Sequence, residues 1–180
     1  MKQGIYILTI ISALTLVSCG SSETETVKEE VSKEVSVKGL EPLDLTAYGY
    51  DLSIMVPKAD LNGAAEVNLT ERGTLEIVIG SDYGLEIMFG EGDLELLKTD
   101  LKEDLVFNAE IISEEQNALV YTQDIPDSGV KIQNHFMYKA VVGENTYEVR
   151  DIALNEYGLG MIEKMLASAK TIKAAEKANV

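Results

Sequence analysis

The 180-residue chain has no tryptophan, a single cysteine, Cys19, and a single histidine, His135. Without a second cysteine an internal disulfide cannot form, so the stability of the folded part must come from packing. Four cysteine and histidine ligands cannot be assembled, which excludes a zinc site of that kind. Any nucleophilic system that pairs a serine or cysteine with a histidine depends on His135 alone.

Basic residues are also scarce. The chain has 15 lysines and arginines against 31 acidic residues, a formal net charge of −16, and its only arginines are Arg72 and Arg150. Nucleic-acid binding requires a basic footprint that neutralises phosphates, so no nucleic-acid partner is expected. The acidity is typical of a soluble surface, and the alternative is a surface that meets a basic partner or divalent cations.

The start of the chain has the three parts of an export signal. Lys2 provides a positive charge, Ile5–Val17 form an apolar run of 13 residues, and the small Ser18 precedes Cys19. A helix of that length spans about 20 Å at roughly 1.5 Å per residue, which is short of the roughly 30 Å of a bilayer core. The pattern favours a signal that is cut directly before Cys19 over two alternatives, a transmembrane helix with a chance cysteine or an ordinary signal peptide.

The residues Leu16-Val17-Ser18-Cys19, followed by Gly20, resemble the lipobox of bacterial lipoproteins. The resemblance covers the first 20 residues only. It implies that the Cys19 sulfur receives a diacylglycerol group, that the signal is cut before Cys19 and that the new amine is acylated. Since each buried CH₂ contributes about 0.8 kcal/mol, such chains hold a protein on membrane lipid. Gly20 is not an aspartate, which by analogy favours the outer over the inner membrane.

Composition then divides the chain into three segments. Residues 1–18 are predicted to be the lipoprotein signal peptide, residues 19–39 the acylated cysteine and a flexible acidic tether, and residues 40–180 a single α+β domain. The tether segment has no aromatic residue and is rich in serine, threonine, glutamate and lysine, which cannot build a core. Valines recur there at every fourth residue, so a transient amphipathic helix is the alternative.

Apolar and polar residues alternate in successive short runs of the domain. This period of two predicts an antiparallel sheet of about six to eight strands with one apolar face. The runs lie at residues 50–56, 65–70, 75–79, 85–89, 107–111, 119–121, 132–142 and 146–152.

Two helices interrupt or close this pattern. After Asp93, a good N-cap, four leucines spaced at three, four and four residues predict a helix inserted midway. A second helix is predicted from about Glu156, with lysines towards its C-terminus, where the helix dipole favours cations. The two apolar stripes are Leu94, Leu97, Leu101 and Leu105, and Leu159, Ile162, Leu166, Ala169 and Ile172; the lysines are Lys170, Lys173 and Lys177.

The order strands, helix, strands, helix loosely resembles the PsbP-like fold. The residues that carry this resemblance are the opening strand Tyr50–Pro57 and the closing helix Ile162–Lys173. The resemblance implies an antiparallel sheet with one inserted and one C-terminal helix packed on it, and an accessory or binding role.

Few residues have the spacing of a catalytic site. His135 shares one side of its run with polar neighbours and is predicted to be solvated. Asp127-Ser128-Gly129 matches the short aspartic-protease pattern, which requires two copies, and Ser128 and Lys131 match the Ser-x-x-Lys pattern. Because Pro126 precedes them, these residues are interpreted as a turn, and no catalytic residue is predicted.

Five glutamates alternate with apolar residues along their strands. They are predicted to share the sheet face away from the core, either as a wet surface or as an acidic platform for a basic partner or Ca²⁺. They are Glu66, Glu76, Glu86, Glu110 and Glu148.

These observations together predict a lipoprotein anchored through Cys19 in the cell envelope, non-enzymatic, with no cofactor and with an envelope protein as a possible partner. The alternative is a lipoprotein that binds a small ligand or a divalent cation. This alternative predicts either a pocket lined by Tyr48, Tyr50, Tyr83 or Tyr138, or a carboxylate cluster.

Overall fold

Two antiparallel sheets and three helices form residues 39–153 and 155–176, which are the part of the chain that the computed structural model describes. The predicted α+β class is confirmed. The strands are β1 Leu40–Asp44, β2 Leu52–Pro57, β3 Glu66–Leu69, β4 Leu75–Ile79, β5 Tyr83–Phe89, β6 Asn108–Glu115, β7 Ala118–Asp124, β8 Gln133–Val142, β9 Asn145–Asp151 and β10 Lys173–Ala174. The helices are α1 Ala59–Asn62, α2 Leu94–Glu103 and α3 Leu159–Ala169.

The larger sheet has seven strands in the order β3-β4-β5-β9-β8-β7-β6. All neighbours are antiparallel, as the period of two predicts. Strand β9 is the central strand, so it joins the β3-β4-β5 half to the β8-β7-β6 half.

The smaller sheet has three strands in the order β1-β2-β10. The run at residues 50–56 therefore does not open the large sheet; its strand, β2, pairs with β1 and β10. Sequence reasoning missed β1 because Pro42 lies within it, and proline is tolerated on an edge strand of this kind.

Helix α3 is shorter than predicted at both ends. It begins at Leu159 rather than near Glu156 and ends at Ala169, so Lys173 lies in β10 and not in the helix. The Thr171 side chain explains the early end: its hydroxyl donates to the Ser168 carbonyl at 2.6 Å and accepts the Met55 N–H at 2.8 Å. Through these two hydrogen bonds, Thr171 ties the end of α3 to β2, and the chain continues into the smaller sheet.

The main core lies between the inner face of the large sheet and a second layer made of the smaller sheet and α3. A hydroxyl network joins the layers, because Ser168 bonds to the Met55 carbonyl and to the Tyr83 hydroxyl, the latter at 2.7 Å. Burial raises the pKa of Tyr83, so its hydroxyl stays neutral. Core residues from the three parts include Leu52, Ile54, Val56, Leu75, Ile77, Leu85, Ile87, Phe136, Val149, Ile162 and Met165.

Helix α2 covers the opposite face of the large sheet at β6 and β7. The prediction for its start is confirmed, since the Asp93 carboxylate accepts the Leu96 N–H at 2.9 Å. Leu101 packs against Leu119 and Tyr121 in a second, smaller apolar cluster.

The prediction that Leu105 belongs to the apolar stripe of this helix is wrong, because α2 ends at Glu103 and Leu105 is 99% exposed. The Asp104 carboxylate accepts the N–H groups of Val106 and Phe107 at 2.7 and 2.9 Å. These local bonds replace the continuation of the helix.

Within residues 39–153 and 155–176, no helix has the length and apolar character needed to cross a bilayer.

Two leucines test this layering. Leu85 is 0% exposed and Leu105 is 99% exposed. We expect Leu85→Ala to lower the free energy of unfolding by about 2–5 kcal/mol, because it opens a cavity in the core. The matched Leu105→Ala should change it by less than about 0.5 kcal/mol. Urea denaturation measures both, and similar losses for the two variants would contradict the layer assignment.

Candidate functional site

A buried carboxylate lies where strands β8 and β9 stop pairing. Asp151 continues the inward alternation of Tyr147 and Val149 and is 3% exposed. The β8–β9 ladder runs only as far as the pair Met137 and Arg150, while Asp151 still pairs with Leu85 on β5. A buried carboxylate is costly unless its oxygens accept hydrogen bonds.

Both oxygens of Asp151 have a donor on β8. Oδ1 accepts the Phe136 N–H at 2.8 Å, and Oδ2 lies 2.7 Å from Nδ1 of His135. Because a carboxylate only accepts, we assign a proton to Nδ1 of the imidazole. The Asp151 side chain therefore continues the connection between β8 and β9 beyond the end of their backbone ladder.

The prediction that His135 is solvated is wrong, because it is 5% exposed. Its ring lies 5.4 Å from the ring of Tyr121, which packs with Leu101 of α2. Met137, on the same side of β8, is buried too. This side of β8 is polar in sequence but lies next to the second apolar cluster, a tertiary contact that alternation along one strand does not show.

The hydrogen bond to Asp151 fixes the orientation of the His135 imidazole. Among the described residues, the His135 side chain bonds only to Asp151, and neither a hydroxyl nor a thiol is within hydrogen-bonding distance of it. Nucleophilic catalysis requires such a group beside the base. The contacts present give the pair a structural role, which is to hold β8 against β9.

The segment from Asp127 to Gly129 is a turn, as predicted. Asp127 has a φ of 58°, and the Ser128 hydroxyl donates to the Ile125 carbonyl at 2.6 Å. Lys131 forms an ion pair with Glu156 at 3.1 Å instead of approaching Ser128. The Ser128 hydroxyl and the Lys131 amine, which the Ser-x-x-Lys pattern would need together, are therefore engaged with different partners.

Four of the five glutamates predicted to share a sheet face do so. The register places Glu66 opposite Val78 and Glu76 opposite Glu86, on strands whose alternate residues are buried. Glu110 is the exception, because it pairs with Thr122 and so faces the other way from Tyr121, on the α3 side. We call Glu66, Glu76, Glu86 and Glu148 the acidic face.

One guanidinium lies among these carboxylates. Arg150 is directly opposite Glu86, and its Nη2 atom lies 2.5 Å from Oε1 of Glu148. Its Nε atom is buried and has no hydrogen-bond partner among the described residues. Burial raises the pKa of Glu86, opposed by Arg150 and reinforced by Asp151, Glu76 and Glu148.

The acidic face does not form a metal centre in this geometry. Among the described residues, no group of three or more histidine, cysteine, aspartate or glutamate side chains is arranged to hold a metal ion. Its chemistry is that of a row of carboxylates beside two cations, Arg150 and Lys139, the latter directly opposite Glu148 on β8.

A cavity of about 540 Å³ lies between α3, the β4–β5 turn and the beginning of the domain. Of the four tyrosines predicted to line a pocket, only Tyr83 borders this cavity; Tyr50 instead stacks on Phe89, with ring centroids 5.2 Å apart. Both apolar and polar side chains line the cavity. The wall includes Leu40, Pro57, Asn62, Ile79, Asp82, Tyr83, Met161 and Lys164.

Cys19, the predicted lipidation site, lies outside the described residues. Comparison with protein-family models, with curated proteins and with solved structures finds no match to this chain. The lipobox and the PsbP-like resemblance therefore stay predictions.

The raised pKa of Glu86 has a consequence for stability. A carboxyl whose folded pKa exceeds its unfolded pKa destabilises the fold as the pH rises through the ordinary range of glutamate. We expect Glu86→Gln to raise the urea midpoint at about pH 7, and this gain to disappear at about pH 3, below the ordinary pKa of glutamate.

Glu66→Gln is the matched control, since Glu66 lies on the same face but on the exposed edge strand β3. We expect little change from it at either pH. A Glu86→Gln variant that is less stable than the parent at neutral pH, and equally so in acid, would show that burial does not dominate at this carboxyl.

Proposed function

We propose that this protein is a non-enzymatic lipoprotein of the bacterial cell envelope, anchored in the outer membrane through acylated Cys19. The lipobox-like residues Leu16 to Cys19 support the anchor. The described domain begins at Gly39, 20 residues beyond Cys19. A coil of that length extends to about 65 Å at most, so the domain reaches partners away from the lipid surface.

The observation that carries the proposed role is the charge of the domain. Five of the 31 acidic residues precede Gly39, which leaves 26 in the described part; four of the 15 basic residues precede it and Lys177 follows, which leaves ten. The described part therefore carries the whole formal net charge of −16. Such a field disfavours anionic lipid and nucleic acid and attracts a basic partner.

Ion pairing within the domain leaves this net charge unchanged but reduces the number of basic residues that remain free. Five of the ten basic residues are already held by carboxylates of the same domain. The partner that fits this surface is a basic component of the envelope, bound at a rate that falls with ionic strength.

A second candidate function is the binding of a small ligand in the cavity beside α3. The volume of about 540 Å³ favours it, since ligand sites occupy roughly 300–1,000 Å³. A ligand that binds there would raise the melting temperature as its concentration increases. The proposed anchor at Cys19 does not depend on this cavity.

Substitution at Cys19 tests the anchor directly. In a bacterial host fed an alkyne-labelled palmitate, we expect the full chain to take up label and to partition into detergent. Cys19→Ala should lose the label completely and keep the mass of the uncut precursor, because the acylated sulfur is absent. Gel fluorescence and intact mass measure both.

Ser21→Ala is the matched control, because Ser21 lies two residues beyond the lipobox cysteine. It should be labelled and cut like the parent chain. Equal labelling of the Cys19→Ala variant, or a parent chain without any lipid, would disprove the anchor.

A further inference from the structure

Strand β6 is the longest free edge in the described part of the chain. It has eight residues and pairs only with β7, whereas the opposite edge of the large sheet, β3, has four. Seven of the eight β6 residues are exposed. A free edge presents unpaired N–H and C=O groups, which are a template for another strand.

Acidic side chains and a bulge protect this edge against a second copy of the chain. The register shifts between Ile111 and Ser113, and Glu110, Glu114 and Glu115 lie on the strand. Two such edges in antiparallel contact would bring like charges together, which is destabilising. The same carboxylates attract a strand of opposite charge.

Two of these carboxylates already show which side chains the edge accepts. Lys98 of α2 lies 2.8 Å from Glu114, and Lys170, at the end of α3, lies 2.7 Å from Glu115. Glu110 takes part in no ion pair among the described residues. One carboxylate of the edge is therefore available for a lysine or arginine from outside.

Exposed apolar side chains accompany the edge. Ile111 and Ile112 are exposed on the strand, and Leu105 and Val106 are exposed in the segment that leads into it. The N–H groups of Val106 and Phe107 donate hydrogen bonds to the Asp104 carboxylate, which hold that segment in place. An added strand would find both backbone partners and apolar contacts here.

We propose that the free edge of β6 binds an extended basic segment of a partner protein, which adds an eighth strand to the large sheet. The backbone groups of β6 supply the ladder, Glu110 pairs with a cationic side chain of the partner, and the exposed isoleucines contact its apolar residues. This rests on the proposed function, of which it names the binding surface and the class of partner.

A synthetic peptide tests the edge without knowledge of the natural partner. The probe is a nine-residue peptide in which lysine alternates with valine and threonine, and its control carries two central prolines, which cannot complete a ladder. We expect the full chain in detergent to bind the probe at least tenfold more tightly than the control. Hydrogen exchange should slow at the β6 amides.

Charge reversal then locates the contact. Glu110→Lys should weaken the probe about fivefold, since it turns an attractive cross-strand pair into a repulsive one. Glu66→Lys, the same change on the other edge strand, should leave the affinity within about twofold. Thermal melts of both variants confirm that they are folded.

The proposal would be overturned if the probe did not bind, or if the proline peptide bound equally well. Equal losses of affinity from both charge reversals would also overturn it, because they would indicate general electrostatic attraction rather than a binding site on β6. Concentration-dependent protection of β6 in the chain alone would assign the edge to a second copy.

Affinity capture from solubilised membranes separates the two proposals. A specific partner retained equally by all variants would keep the proposed function and reject the edge, and no specific partner for any variant would reject the function.

Discussion

The large sheet depends on the burial of one carboxylate at the end of its central strand. Among the described strands, β9 alone links the two halves of the sheet, and its ladder with β8 ends one residue before Asp151. A carboxylate in that position must be matched by donors, since leaving a buried acceptor without a partner costs about 1–3 kcal/mol, and more when the acceptor is charged. The Phe136 N–H and the His135 imidazole are those donors, so the burial of Asp151 requires that β8 pairs with β9.

The two faces of the sheet differ because buried and less buried residues alternate along its strands. With β9 held between β5 and β8, the inner face is continuous and is covered by α3 and the smaller sheet. On the outer face only α2 packs, at the β6 and β7 side, and the rest carries the acidic face around Arg150. The charged surface and the free edge of β6, on which the proposed binding depends, lie outside the surfaces that α2, α3 and the smaller sheet cover.

Much of the fold is predictable from the sequence, because alternation and helical spacing are local signals. The strands of the large sheet and both main helices follow from them, as does the Asp93 cap. The errors arise where a contact distant in sequence decides the structure: Thr171 bonds to β2 and ends α3, and Pro42 masks an edge strand.

The candidate site illustrates the same limit. His135 on its own strand has polar neighbours, and only the packing of Tyr121 and α2 beside it shows that it is buried. One signal was present, since Asp151 falls in phase with Tyr147 and Val149, at an inward position where an acid needs a partner. His135, the lone histidine of the sequence, was the natural candidate for that partner. The prediction for Cys19, by contrast, uses local residues alone.

The most direct test of this account is nitrogen-15 NMR of His135, which needs no assignment because it is the only histidine of the chain. The account predicts a proton on Nδ1 that exchanges slowly with solvent and is lost or strongly shifted in Asp151→Asn. An imidazole protonated on Nε2 alone, in rapid exchange with water and unchanged by that substitution, would contradict it.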